Sequence, residues 1–248
     1  MKTIGLIGGM SWESSLEYYR IINEQVREKL GGLHSAKSLM FSVDFDEVEK
    51  LQHQGKWMDA TEIMIGAAKR LEKGGADFIV ICTNTMHKMA GDIQNAVKIP
   101  LLHIADATAE RIRATGINKV GLLGTKFTME EDFYKRRLIN KYNLQVLIPD
   151  EKERQIVHDI IYQELCLGSI QKSSKDQFIK SINNLASHGA RAVILGCTEI
   201  SLLIKQEDVD VPLFDTTRIH AEAAVDYALT DNLISHESAL RPMINRKL

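Results

Sequence analysis

The strongest constraint on the fold of this chain is an internal repeat. Residues 71–85 align without a gap with residues 185–199. The alignment superposes two apolar runs and pairs Thr83 with Cys197. Two further pairs of segments keep the same order at nearly the same spacing: 4–8 with 120–124, and 99–102 with 211–214. Three matches in one order indicate that a single α/β unit was duplicated.

The repeated unit has the pattern of a parallel strand followed by a loop with reactive side chains. Residues 192–195 form a short apolar run, which is typical of a strand covered on both faces, and Cys197 lies just past its end. Ligands of open α/β sheets bind at the carboxyl ends of the strands. We therefore predict an α/β fold of two pseudo-symmetric, doubly wound domains with the active site in the cleft between them.

The same alignment predicts the limits of the domains. Residues 1–100 together with residues 213–230 are expected to form the first α/β domain, and residues 101–212 the second. Residues 231–248 follow the last helical pattern and are expected to form a peripheral C-terminal tail.

The composition argues against several classes of protein. A net charge of −2 without a basic cluster predicts no nucleic-acid partner. The longest apolar runs have the length of strands, and glycines interrupt residues 1–10, so we expect a cytoplasmic protein without a secretory signal or a membrane span. The three cysteines are far apart and form no Cys-x-x-Cys pair, which argues against disulfides and against a zinc site. At least one cysteine is therefore free to be a reactive thiol.

Two equivalent turns are candidate binding loops. Met10 and Ser11 belong to a Gly-Gly-Met-Ser turn that is predicted to open a helix, and Thr125 lies in the corresponding turn of the second copy. The glycine pair lacks the full spacing of a dinucleotide fingerprint, so NAD is not expected. Gln52 lies in a predicted polar loop, residues 44–56, from which it could reach the cleft.

Three motifs carry a resemblance to a known family. They are Ile-Gly-Leu-Ile-Gly-Gly-Met at residues 4–10, Cys-Thr-Asn-Thr beginning at Cys82, and Gly-Cys-Thr-Glu at residues 196–199. Up to about residue 229 the chain resembles the aspartate/glutamate racemases, and it looks closest to the bacterial acidic amino-acid racemases. The resemblance implies an isomerase that needs no pyridoxal phosphate or other cofactor, takes a small amino acid as substrate and forms a homodimer.

The resemblance also implies a two-base reaction, in which groups on both faces of Cα remove and return its proton. Both groups are normally cysteines in this family, and Cys197 matches the second of them. Thr83 occupies the first position, with Cys82 one residue earlier; the repeat makes the same assignment. A shift of one residue along a strand turns the side chain to the other face, so Cys82 is expected to point away. We predict Thr83 and Cys197 as the catalytic pair, with unequal rates in the two directions because a hydroxyl is a poorer base than a thiol.

The remaining candidates are predicted to bind the substrate. Asn84, Thr85 and Thr198 are expected to hold its carboxylate, whereas Glu199 could either orient its neighbours or lie on the surface. The amide groups after Cys197 are expected to favour its thiolate. Cys166 is assigned to packing, and no arginine is evident for a second substrate carboxylate.

Two alternative functions stay open at this point. One is a lyase or cis–trans isomerase of a small dicarboxylate, with Cys197 as its single essential thiol. The other is a small-molecule binder without catalytic activity.

Overall fold

The computed structural model describes residues 1–240, and the side chains of residues 1–230. Strands and helices alternate along the chain, as the sequence predicts. The strands are β1 (Ile4–Gly8), β2 (Ser38–Ser42), β3 (Phe78–Ile81), β4 (Leu101–Leu102), β5 (Lys119–Gly124), β6 (Gln145–Leu147), β7 (Val193–Gly196) and β8 (Leu213–Asp215). The helices are α1 (Trp12–Leu30), α2 (Phe45–His53), α3 (Trp57–Lys73), α4 (Ala90–Ala96), α5 (Ile104–Ala114), α6 (Lys126–Glu130), α7 (Asp132–Tyr142), α8 (Glu151–Gln163), α9 (Lys172–Ser187), α10 (Ile200–Leu203) and α11 (Thr216–Leu240). Short 3-10 helices cover Thr85–Met89, Leu165–Leu167 and Gln206–Asp208.

The strands form two parallel sheets with the same topology. The first has the order β2-β1-β3-β4 and the second the order β6-β5-β7-β8. Strands of the repeat occupy equivalent places, because β1 corresponds to β5 and β3 to β7. The predicted two-domain α/β fold is therefore confirmed.

The central strands are buried because helices cover both faces of each sheet. Every residue of β1, β3 and β7 is buried. One side of the first sheet packs against α1 and the described part of α11, and the other packs against α3 and α4. Strands covered in this way need continuous apolar runs, which is the pattern that reveals the repeat.

Strand pairing moves both predicted domain boundaries by a few residues. Leu101 and Leu102 pair with β3 of the first sheet, although the prediction assigned them to the second domain. Residues 213–215 pair with β7 of the second sheet, although the prediction assigned them to the first. The chain crosses between domains only after each of these edge strands, so α5 packs on the second core. The start of α11, at Ile219, still packs on the second core, and most of its later described residues pack on the first.

Two other predictions concern segments outside the sheets. The prediction of a polar loop at residues 44–56 is wrong. Helix α2 occupies most of this segment, and Asp44 caps the first turn of the helix. Of the predicted peripheral tail, residues 231–248, only the backbone of residues 231–240 is described, as the end of α11. Residues 241–248 lie outside the described part of the chain.

Candidate active site

A small cavity lies between the two domains, at the carboxyl ends of both sheets. Its volume is about 20 Å³. Every predicted site residue except Ser11 and Thr198 lines it. The lining residues are Met10, Phe45, Gln52, Thr83, Asn84, Thr85, Thr125, Ile161, Tyr162, Cys166, Gly196, Cys197 and Glu199.

Glu199 collects three hydrogen bonds at one side of this cavity. Its Oε1 accepts from the hydroxyl of Ser11 at 2.8 Å. Its Oε2 accepts from Thr198 Oγ1 at 2.7 Å and from Cys197 Sγ at 2.9 Å. Glu199 is 2% exposed, so the surface interpretation of this residue is wrong. Ser11 and Thr198 therefore reach the site through the Glu199 carboxylate rather than by lining the cavity.

The surroundings of Cys197 disfavour its thiolate. Burial raises the pKa of the Cys197 thiol well above its ordinary value, and the nearby Glu199 carboxylate raises it further. The backbone amide of Glu199 lowers the pKa of the Cys197 thiol, as predicted, but burial and the Glu199 carboxylate outweigh it. The helix after Cys197, α10, has only 4 residues. The Glu199 carboxylate lies 2.9 Å from the sulfur, and the described lining residues include no lysine or arginine to offset its charge. In the resting site the thiol keeps its proton and donates a hydrogen bond to Glu199.

Thr83 and Cys82 face opposite sides of the first sheet, as the register argument predicts. Thr83 is half-buried and lines the cavity, whereas Cys82 is fully buried in the core formed with α1 and α11. The Nδ1–H of His87 donates to the Thr83 carbonyl at 2.8 Å, and Nε2 accepts from the amide of Ile104 at 3.2 Å. This pair of bonds holds the backbone of Thr83 against the start of α5.

Asn84 presents an unused acceptor. Its Nδ2 donates to Thr216 Oγ1 at 3.0 Å, and Thr216 in turn donates to the carbonyl of Leu195 at 2.7 Å. Its Oδ1 is buried and has no hydrogen-bond partner, which is unfavourable unless a ligand supplies a donor. On the same cavity wall the hydroxyls of Thr85 and Thr125 meet across the domains at 3.1 Å.

The sequence prediction missed several lining residues, which are Phe45, Ile161, Tyr162, Cys166 and Gly196. Phe45 was not predicted because residues 44–56 were expected to form a polar loop. Tyr162 lies on α8 of the second domain. Cys166, which was assigned to packing, lines the cavity as well. The described residues around the cavity include no lysine or arginine. The formal charge on the wall is therefore that of Glu199 alone.

The described residues contain neither a candidate metal centre nor a membrane-spanning helix. No group of three or more His, Cys, Asp or Glu side chains in this part of the chain could hold a metal ion. Among the described helices, none is long and apolar enough to cross a membrane.

Comparison with known proteins assigns the family. The Asp/Glu/Hydantoin racemase family matches residues 7–224, which include both strand ends and the whole cavity wall. The chain belongs to this family. Its predicted family membership is therefore confirmed, and family membership makes it an amino-acid racemase by type, within the isomerases.

Individual relatives agree with this assignment. An Asp/Glu racemase candidate from Yersinia pestis, whose crystal structure is known, has 55% sequence identity to this chain. The match covers 92% of this chain and 100% of that one, and the two structures superpose with a TM-score of 0.86. PH1733, an aspartate racemase homologue from Pyrococcus horikoshii OT3, is 40% identical with a TM-score of 0.80, and the match covers 92% of this chain and 99% of that one. The broad specificity amino-acid racemase RacX of Bacillus subtilis (strain 168) is 27% identical over 188 residues, or 74% of this chain and 73% of RacX.

Proposed function

We propose that this family member racemises acidic amino acids without a cofactor, with Cys197 and Thr83 acting on opposite faces of Cα. The observation that carries the proposal is the placement of these two side chains. Each follows an equivalent strand of a different sheet, and both line one cavity. Inversion of a stereocentre requires proton transfer on both faces of one carbon, and two facing strand ends supply that arrangement.

On one face, Cys197 and Glu199 act together. Glu199 Oε2 already accepts the Sγ–H bond at 2.9 Å, so it is placed to take the thiol proton when a substrate arrives. The thiolate then removes the α-proton, which moves to Sγ while the electron pair of the C–H bond spreads into the substrate carboxylate. The raised pKa of the Cys197 thiol makes its thiolate a strong base once it forms.

On the other face, Thr83 returns a proton. Its hydroxyl gives the proton to Cα. When the cleft reopens, the resulting alkoxide takes a proton from solvent and Glu199 releases to solvent the proton that it took from the thiol, so the site returns to its starting state. The reverse direction requires Thr83 to be deprotonated first, and no base in hydrogen-bond contact with its hydroxyl is found among the described residues. Abstraction through Thr83 is therefore expected to be the slower direction.

The α-substituents of the substrate find partners on the cavity wall. The free Oδ1 of Asn84 is suited to accept from the α-ammonium group. The hydroxyls of Thr85 and Thr125 are suited to donate to the α-carboxylate, which would break the bond that they make with each other. Met10 completes the same wall, and Thr198 contributes through its hydrogen bond to Glu199.

Substrate binding requires the domains to separate. A cavity of about 20 Å³ has room for little more than a water molecule. Hydrogen bonds from Ser11 to Glu199 and between Thr85 and Thr125 join the domains across it. An opening of the cleft before binding, and a closure that excludes water during proton transfer, are therefore part of the proposal.

The test is proton NMR of each enantiomer of aspartate and glutamate, incubated with the protein in deuterated water and followed by chiral analysis. We expect loss of the α-proton signal together with inversion. Cys197→Ala is expected to abolish both, and Cys82→Ala, which removes a thiol outside the cavity, is expected to retain them. Absence of exchange with all four amino acids would overturn the proposal.

One observation favours a second candidate. Thr83 leaves one cysteine, Cys197, at the two family positions, and a single thiol suffices for a lyase or cis–trans isomerase of a small dicarboxylate. Incubation with unsaturated four-carbon diacids, followed by NMR, tests this function separately, and a binder without activity would show ligand-induced thermal stabilisation alone. The cytoplasmic location and the homodimer stay predictions.

A further inference from the structure

Gln52 and Tyr162 meet across the cleft at the wall of the cavity. Gln52 lies on α2 of the first domain and Tyr162 on α8 of the second. The Tyr162 hydroxyl donates to Gln52 Oε1 at 2.9 Å, and both side chains line the cavity. The ring of Phe45 lies nearly parallel to that of Tyr162, with 6.5 Å between their centroids.

One donor of this pair, the side-chain amide of Gln52, is poorly used in the closed cleft. Gln52 is 3% exposed, and its Nε2 contacts the sulfur of Met86 at 3.0 Å. A thioether is a weak acceptor, so the amide of Gln52 lacks a good partner. Burial raises the pKa of Tyr162 well above its ordinary value, which keeps the phenol protonated and able to donate.

The charge of the wall limits what else could hold a substrate side chain. None of the described lining residues is a lysine or an arginine, and Glu199 is negative. A side-chain carboxylate in this cavity would therefore be held by neutral donors, without an ion pair. Neutral donors recognise a carboxylate and a carboxamide oxygen by the same geometry.

We propose that Gln52 and Tyr162 are the residues that select the substrate side chain. When the cleft opens, the bond between them breaks, and Tyr162 Oη–H and Gln52 Nε2–H donate to one oxygen on that side chain. This inference rests on the proposed racemase function. The substrate class is that of amino acids whose short side chain ends in an oxygen acceptor, so the amides of the acidic amino acids are substrates as well.

The experiment compares three amino acids that differ only at the end of the side chain: L-aspartate, L-asparagine and L-2-aminobutyrate. The initial rate of α-proton exchange in deuterated water gives kcat/KM for each with the wild type and with Tyr162→Phe. We expect aspartate and asparagine to agree within about tenfold in the wild type. Tyr162→Phe should lower kcat/KM for aspartate and for asparagine by about tenfold, since one hydrogen bond to the side chain is lost. The value for 2-aminobutyrate should be unchanged.

Tyr134→Phe is the matched control, because Tyr134 is a fully buried tyrosine of the same domain that does not line the cavity. Tyr134→Phe should not lower kcat/KM for any one of the three amino acids relative to the other two. A preference for aspartate over asparagine above about a hundredfold, or an equal loss for all three amino acids in Tyr162→Phe, would overturn the inference. If the wild type exchanges none of them, the exchange assay with both enantiomers of aspartate and glutamate decides the proposed function, and calorimetric Kd values for the three compounds decide the subsite. A selective loss of affinity in Tyr162→Phe supports the subsite, and equal losses for all three compounds overturn it.

Discussion

The hydroxyl of Ser11 donates a hydrogen bond of 2.8 Å to Oε1 of Glu199, and this bond links the N-cap of α1 to the loop that follows β7 in the second domain. The other oxygen of the same carboxylate accepts the Cys197 thiol at 2.9 Å. In the proposed mechanism, closure of the cleft positions the group that receives the thiol proton, so catalysis and domain closure are coupled through Glu199.

In Glu199→Gln, the Cys197 thiol is expected to become more acidic while racemisation becomes slower. Loss of the negative charge lowers the pKa of Cys197 relative to the wild type, so alkylation of Cys197 by iodoacetamide should extend to lower pH. Racemisation should nevertheless fall by about 10²-fold or more, because the acceptor of the thiol proton is gone. Peptide mapping of the alkylated protein across a pH series, beside the exchange assay, measures both.

Ser11→Ala is the matched control for this prediction, since it removes a hydrogen bond to Glu199 and keeps the charge. Its alkylation profile should stay close to that of the wild type. An alkylation profile of Glu199→Gln that moved to higher pH would contradict the electrostatic account of Cys197.

Gly9→Ala is expected to destabilise the fold more than a glycine replacement at an open position. Gly9 has a φ of +93°, and a Cβ there would lie 2.2 Å from the carbonyl oxygen of Val43. Gly31 has a similar φ of +75° with nothing within 4 Å, so Gly31→Ala measures the conformational cost alone, about 1–2 kcal/mol. Urea unfolding should show a clearly larger loss for Gly9→Ala. Equal losses in the two variants would contradict the close approach of this turn to the chain after β2.

The stability of the protein is expected to fall in mild acid because of buried histidines. His220 accepts from Tyr18 at Nδ1 and donates from Nε2 to the carbonyl of Leu102, and burial lowers its pKa to about 4. Its unfolded pKa is about 6.5. Between these values the unfolded chain binds a proton that the folded protein does not bind, so stability is present above pH 6.5 and is lost as the pH falls toward 4.

The measurement is the free energy of unfolding between pH 7 and pH 4 in the wild type and in His220→Gln. The variant is expected to lose less stability over this range, by about 3 kcal/mol at most. His34→Gln controls for removal of an exposed histidine. Parallel curves for the wild type and His220→Gln would count against this explanation.

The fold was predictable because its evidence is local and repeated. Buried parallel strands need continuous apolar runs, and the repeat places two sets of them in the same order. The alternation of side chains along a strand likewise predicted that Thr83, and not Cys82, faces the cleft. The exact crossing points were not predictable, because Leu101 and Leu213 are edge-strand residues whose sheet is decided by pairing with distant strands.

The chemical properties of the cavity could not be predicted in the same way, because they depend on contacts between the domains that local sequence patterns do not show. The acidity of Cys197 is set by burial and by Glu199, whose role follows from its bond to Ser11 across the cleft. Tyr162 reaches the site only because α8 packs over the second sheet. The missed helix α2 did leave a signal, since Asp44 is a good N-cap and Glu47 follows it three residues later.

The most direct test of the central claim compares α-proton exchange of the two enantiomers of aspartate in the wild type, Thr83→Cys and Thr83→Ser. If Thr83 serves one face, the wild type exchanges one enantiomer faster, and Thr83→Cys raises the slower rate by about tenfold or more because a thiol is the stronger acid and the better base at neutral pH. Thr83→Ser keeps a hydroxyl and should keep the wild-type ratio. An unchanged ratio of the two rates in Thr83→Cys would contradict the assignment of Thr83 and Cys197 to opposite faces.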